Sequence, residues 1–169
     1  MSINVAPIGL VRDLQERARS GRPIRIGLIG CGEMGTDIVT RVAHMQGIEV
    51  GAIAERDPER ALKAAEIAYG EDGHAREAGT AAALDAAMEA GRIAVTGDAG
   101  LVLGSGLVDV VVDATGVPAV GAEIGLAAME NGKHLVMMNV EADVTIGAYL
   151  KSEAERLGVV YSLGAGDEP

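Results

Sequence analysis

Short, nearly unbroken apolar runs alternate along this chain with longer segments whose apolar residues recur every three or four positions. The runs are Ile24–Ile29 (IRIGLI), Ile48–Ala54 (IEVGAIA), Ile93–Thr96, Leu107–Asp113 (LVDVVVD), His134–Met138 and Val159–Ser162. Their length and β-branched content predict six strands. Between them lie helical patterns. Residues 8–20 place Leu10, Val11, Leu14 and Ala18 at helical spacing, and Gly21 ends that lead-in helix. Residues 34–46 put Ile38, Val42 and Met45 on one face, up to Gly47. Asp57 and Pro58 open a helix running to about Tyr69, because Pro is tolerated in the first turn. Thr80–Ala90, Pro118–Asn131 and Val144–Leu157 are three more, and residues 98–106 read as a short helix or loop. The most polar stretch, residues 70–79 (GEDGHAREAG), reads as a mobile surface loop.

Strands that are continuously apolar, not alternating, belong to a parallel sheet covered on both faces. With right-handed crossovers this predicts an α/β, doubly wound parallel sheet of about six strands, helices on both faces, preceded by an N-terminal helix over residues 1–23.

The first strand runs straight into Gly30-Cys31-Gly32-Glu33-Met34-Gly35 and a helix. GxGxxG alone is weak in a chain with 24 glycines, but here the strand–turn–helix context is met. Gly30 permits the tight turn, Gly32 lets a pyrophosphate approach the backbone, and Gly35 lets the helix pack on the strand. The helix N-terminus offers free N–H groups to an anion, and Glu33 and Met34 complete the loop. The second strand ends at Glu55, 25 positions after Gly30, where such a fold carries the carboxylate for a ribose. Arg56 follows and suits a 2′-phosphate. These two residues point in opposite directions, so NAD and NADP both stay open. On the same sheet edge, Ala114, Thr115 and Gly116 follow the fourth strand, Asn139 and Glu141 the fifth, and Asp167 and Glu168 the sixth. For Asn139 and Asp143, helix capping competes with ligand contact. Cys31 sits where a helix N-terminus would lower a thiol pKa, although plain packing is the simpler role. His44 and His74 read as surface residues, His134 as structural, and Met137 and Met138 as strand core.

Charge narrows the functions further. The balance is 14 basic against 25 acidic residues, a net of −11, which disfavours nucleic acid. Aromatic residues for base stacking are nearly absent. One cysteine and three scattered histidines form no zinc set. No apolar run reaches the length of a membrane span, and the N-terminus lacks a signal-peptide core, so a cytoplasmic location is expected.

The segments IRIGLIGCGEMG, VDVVVDATG, GKHLVMMNVEADV and VVYSLGAGDEP resemble the cofactor domain of homoserine dehydrogenase-like proteins, more closely a branch described as 1-deoxy-D-xylulose 5-phosphate reductoisomerase-like. The resemblance covers residues 24–169, the expected dinucleotide-binding domain with a Rossmann fold. It implies NAD(P) on Gly30, Gly32 and Gly35, with Glu55 and Arg56 at the adenosine ribose. Ala114, Thr115, Gly116 and Asn139 would lie at the nicotinamide end. Val140 stands where homoserine dehydrogenases carry Lys, and Asp167 and Glu168 replace the middle of a Gly-Gly-x-Pro turn between Gly166 and Pro169. Glu141, Asp167 and Glu168 are the candidate catalytic residues. The two carboxylates after Gly166 suit a divalent metal or a polyol phosphate in a full-length enzyme. The resemblance also implies a substrate and dimerisation domain after Pro169, a small-molecule substrate held there, a homo-oligomer at full length, and no turnover by these 169 residues alone. The other reading is a stand-alone NAD(P)-sensing regulatory domain. An oxidoreductase of the glucose–fructose type would want Glu-Lys-Pro after the fifth strand, where Asn139-Val140-Glu141 stands.

Overall fold

The computed structural model describes residues 8–70 and 74–164. In chain order the elements are α1 (Leu10–Arg19), β1 (Ile24–Ile29), α2 (Glu33–Val42), β2 (Ile48–Ala54), α3 (Pro58–Tyr69), β3 (Ala75–Glu77) and α4 (Ala81–Glu89). They continue with β4 (Ile93–Thr96), α5 (Ala99–Gly104), β5 (Val110–Asp113), α6 (Pro118–Glu130), β6 (His134–Met137), α7 (Val140–Leu157) and β7 (Tyr161–Leu163). The strands form one sheet of order β3-β4-β2-β1-β5-β6-β7, and every pairing is parallel. The chain winds outward from β1 in both directions. The order therefore reverses between β1 and β5, which opens a crevice beyond their carboxyl ends.

Alternation along the strands divides the apolar residues between two faces. Ile26 and Leu28 of β1 join Val50 and Ile53 of β2 against Val39 of α2 and Ala61, Ala64 and Ala65 of α3. Ile29, Ala52 and Val111 point the other way, into a core with Leu84, Val102, Ile124, Leu135 and Leu150 from α4, α5, α6, β6 and α7. Small residues let the helices lie close. A Cβ on Gly27 would sit 2.5 Å from a Val102 methyl, so α5 packs directly onto the middle of β1. The lead-in helix α1 is present but buries no residue. Its backbone rests on Gly47, where a Cβ would meet the Leu14 carbonyl oxygen.

Several boundaries differ from the expected ones: β5 starts at Val110 and not Leu107, β7 spans Tyr161–Leu163 and not Val159–Ser162, and three further differences have clear local causes. Residues 75–77, read above as loop, form the edge strand β3, so the sheet has seven strands among the described residues. β3 carries one half-buried side chain, Ala75, and is held by backbone pairing to Ile93–Val95; its hydrophobic signal is correspondingly faint. Helix α2 stops at Val42, four residues earlier than its apolar spacing suggests, and turns toward Gly47, whose φ is +78°. Helix α7 starts at Val140 and not Val144, because Asn139 caps it: its Oδ1 accepts from the Ala142 N–H at 3.1 Å. Among the described residues no helix is long and apolar enough to cross a membrane, and no group of His, Cys, Asp and Glu could hold a metal ion.

Leu28 is fully buried at the centre of the α2–α3 face. Leu28→Ala removes its packing and leaves a cavity beneath the glycine turn. The expected cost is about 3 kcal/mol, read as a lower midpoint in urea unfolding.

Candidate cofactor-binding site

Three backbone hydrogen bonds assemble the edge of the crevice. Gly30 N–H donates to the Ala54 carbonyl at 2.8 Å, Ala114 N–H to Ile29 at 2.8 Å, and Glu55 N–H to Thr96 at 2.9 Å. They bring the ends of β1, β2, β4 and β5 together around a cleft of about 320 Å³. Ile29, Gly30, Gly32, Ala54, Glu55, Arg56, Arg60, Gly97, Ala99, Ala114, Thr115, Val117, Val120 and Ile124 line it.

The three glycines of the loop are required for different reasons. Gly30 has φ +91°, and a Cβ there would lie 2.8 Å from the Ala114 carbonyl oxygen. A Cβ on Gly35 would lie 2.4 Å from the Gly30 carbonyl oxygen. Both are demanded by the fold itself. Gly32 is different: its φ is −74°, and a Cβ there would meet nothing within 4 Å. Nothing among the described residues needs glycine at this position. The space it leaves open lies at the N-cap of α2, where unpaired N–H groups and the helix dipole favour an anion. Thr36 ties the turn down, its hydroxyl donating to the Gly32 carbonyl at 2.8 Å.

Glu55 stands half-buried at the end of β2. One carboxylate oxygen accepts from the Cys31 N–H at 2.6 Å and the other from the Asp57 N–H at 3.3 Å. These bonds pin the carboxylate beside the glycine loop and leave each oxygen a lone pair for a ligand hydroxyl. Arg56 lies exposed on the rim, with Arg60 of α3 beside Asp57 at 3.6 Å.

Of the sequence-predicted residues, Gly30, Gly32, Glu55, Arg56, Ala114 and Thr115 line this one cleft. Gly35 lies behind it. Glu33 faces a neighbouring hollow with Gly32, Thr36 and Arg60, Met34 is exposed on the first turn of α2, and Gly116 is exposed on the turn after β5. Asn139 does not reach the cleft: it is buried as the cap of α7. Glu141 is exposed on the first turn of that helix. Asp143 caps nothing and instead accepts the Tyr161 hydroxyl. Asp167 and Glu168, with Gly166 and Pro169, lie outside the described residues. Cys31 takes the plain packing role and is not an activated thiol. It is buried, and burial pushes its pKa up against the pull of the Thr36 hydroxyl, with the Glu55 charge adding to the rise. His134 is structural, its Nδ1 accepting from the Val160 N–H at 3.0 Å. His74 is exposed and stacks on Tyr69.

Arg60, Gly97 and Ala99 were not singled out from the sequence. Gly97 and Ala99 follow β4, a strand on the far side of β2, and their place on the cleft depends on strand order.

The family model described as the homoserine dehydrogenase NAD-binding domain matches residues 30–163. The chain belongs to that family. It is an NAD-binding domain of oxidoreductase type. Among solved structures it is similar to a homoserine dehydrogenase from Thiobacillus denitrificans (23% identity, TM-score 0.58, covering 83% of this chain and 29% of that one). It is also similar to scyllo-inositol dehydrogenase from Lactobacillus casei, solved with bound NAD(H) and scyllo-inositol (18%, TM-score 0.58, 84% and 36%). A third is a 3-ketoreductase from Actinomadura kijaniata in complex with TDP-benzene and NADP (26%, TM-score 0.58, 81% and 37%). The chain thus spans roughly a third of each. No curated protein matches it.

The glycine geometry separates binding from folding. Gly35→Ala is expected to lower the thermal midpoint. Gly32→Ala is expected to leave it within about 2 °C, a cost of a few tenths of a kcal/mol, while weakening dinucleotide affinity at least about tenfold. Calorimetric melts and cofactor titration of both variants check this. At neutral pH Cys31 is expected to react with iodoacetamide far more slowly than free cysteine, and faster only on unfolding; mass spectrometry of the alkylated protein reads the rate.

Proposed function

We propose that this NAD-binding domain holds the cofactor of an NAD(P)-dependent oxidoreductase and presents its nicotinamide to a substrate carried by another part of the polypeptide. The observation that carries this reading is the open space at Gly32, a glycine the fold does not need, at the head of a helix and beside a pinned carboxylate. The pyrophosphate would lie over Gly30 and Gly32, taking the free N–H groups of α2. Glu55 would accept the adenosine ribose hydroxyls. Ala114 and Thr115 would border the nicotinamide ribose, and Val117, Val120 and Ile124 would give that end an apolar wall that excludes water. The nicotinamide, when bound, supplies or takes the hydride.

The work assigned to the described residues is to bind and orient. Their titratable groups lining the cleft are Glu55, Arg56 and Arg60, which stand after β2, across β1 from Thr115. No acid or base of the described chain borders the predicted nicotinamide end. Proton transfer and substrate recognition are therefore assigned to residues elsewhere, Asp167, Glu168 and a following substrate domain being the candidates. The match covers only about a third of each solved neighbour's chain, which supports this division. A small hydroxy- or keto-substrate and a homo-oligomer of the complete enzyme belong to the same proposal.

Between the two dinucleotides, the geometry favours NAD. Glu55 is fixed by two backbone N–H groups and cannot swing away from a 2′-phosphate, whereas Arg56 and Arg60 extend from the exposed rim. Parallel fluorescence titrations with NADH and NADPH test the assignment. NADH is expected to bind at least about tenfold more tightly, and Glu55→Gln to narrow that ratio to about twofold by removing the charge. Absence of affinity for both dinucleotides would falsify the function. Tighter NADPH binding would refute the role given to Glu55.

A further inference from the structure

Asp113 ends β5 one residue before the turn that walls the cleft. Its side chain is fully buried and packs under α6 and the first turn of α7. A Cβ on Gly121 of α6 would lie 2.6 Å from Asp113 Oδ2 and 2.8 Å from Asn139 Nδ2, so glycine is what admits this pair. Asp113 Oδ1 accepts the Thr115 N–H at 3.2 Å. The remaining polar atoms of the cluster, Asp113 Oδ2, Thr115 Oγ1 and Asn139 Nδ2, are buried without a hydrogen-bond partner.

Three unpaired polar atoms in one place run against the rule that buried polar groups are satisfied. They are also mutually complementary: the amide donates, the hydroxyl can donate, and the carboxylate oxygen accepts. The Asn139 Oδ1 is already committed to the cap of α7, which leaves its amide N–H groups facing Asp113. Burial pushes the Asp113 carboxyl up; the Thr115 N–H draws it back, and the Thr115 hydroxyl and Asn139 amide, near it but short of hydrogen-bond geometry, pull the same way. The neighbours across the sheet, Ile29 on β1 and Met137 on β6, are apolar. Of the acidic groups on the covering helices, Glu123 and Glu141 are exposed and Asp143 takes the Tyr161 hydroxyl.

These donors and acceptors would hold the carboxyl differently in its two protonation states. A neutral Asp113 would accept only weakly from the Thr115 hydroxyl and the Asn139 amide. An ionised Asp113 would draw both donors inward and place a negative charge beneath the turn. We propose that Asp113 is a positioning residue for the nicotinamide end of the site: resting on the cofactor reading above, its carboxyl orients the Thr115 hydroxyl and the Asn139 amide and biases the cleft between the oxidised and reduced cofactor. The direction follows from charge, because the oxidised nicotinamide is cationic and the reduced ring is neutral. The ionised arrangement favours NAD⁺.

The test is the ratio of NAD⁺ to NADH affinity of the 169-residue chain, measured by calorimetry from about pH 4.5 to about pH 8, above the ordinary carboxylate range. In the unmodified chain the ratio is expected to shift toward NAD⁺ by about threefold or more as pH rises. Asp113→Asn cannot titrate, and its ratio is expected to stay flat. Thr115→Val removes one donor that favours the carboxylate, so the midpoint of the pH profile is expected to move up by about half a unit. A flat profile in the unmodified chain, or an Asp113→Asn profile that still titrates, overturns the proposal while leaving cofactor binding intact. If Asp113→Asn does not fold, Thr115→Val decides, and an unmoved midpoint overturns it. If the unmodified chain binds neither dinucleotide, the cofactor reading has failed and this inference fails with it.

Discussion

The site depends on the close approach of two peptide backbones, the turn after β1 and the turn after β5. Gly30 lies against the Ala114 carbonyl at a distance no side chain allows, with a φ that L-residues avoid. The contact is bridged at both ends, by Gly30 to the end of β2 and by Ala114 to the end of β1. Everything at the carboxyl edge is placed by this seam. It aims α2 so that its free N–H groups open over the crevice, it sets Glu55 beside the loop, and it makes the Ala114–Thr115 turn the opposite wall. Gly35 continues the constraint by bringing the first turn of α2 down onto the Gly30 carbonyl. A substitution at either position must move backbone, whereas an alanine at Gly32 meets nothing among the described residues. That difference is the sharpest evidence that the loop is shaped around something from outside it.

The two halves of the crevice are built differently. On the β2 side the groups are charged and half-exposed, and Glu55 is held by N–H donors. On the β5 side the wall is apolar, and the polar groups are withdrawn beneath it, where Asp113 and Asn139 are almost entirely inaccessible. One end suits hydroxyls and a diphosphate, the other an aromatic ring whose charge changes during a reaction. The proposed division of labour, with chemistry completed by residues beyond the described chain, is consistent with this asymmetry. In that proposal the cleft orients a ligand, and among the described residues no proton-transfer group lines it beside the ring.

Much of this was legible in the amino-acid order. The three glycines, the strand before them and the helix after them occur within a dozen residues, and local spacing suffices to read them. Glu55 was legible because a strand end at a known distance from the loop has one direction to face. Edge strand β3 was not, since Ala75-Arg76-Glu77 buries one small side chain and owes its form to backbone pairing with a strand 18 positions away. The extra turn of α7 was missed because Asn139 can cap a helix or meet a ligand with the same side chain. The neighbouring Asp113 and Gly121 decide which. Packing was the simpler reading for Cys31 despite its place near a helix N-terminus, and the residues that bury its sulfur are distant in the chain.

The sequence by itself determined the α/β class, the parallel sheet, the glycine turn and the carboxylate at the end of the second strand. These follow from periodicity and short-range stereochemistry, which are local properties. Only the tertiary structure decided which polar residues share one cleft. It set Arg60 and Gly97 on its rim, withdrew Asn139 from it, and placed Asp113 under Gly121 with no charge to oppose it. Those outcomes depend on strand order and on which side chains a neighbouring helix leaves room for. Contacts between residues far apart in the chain decide both, and no local pattern encodes them.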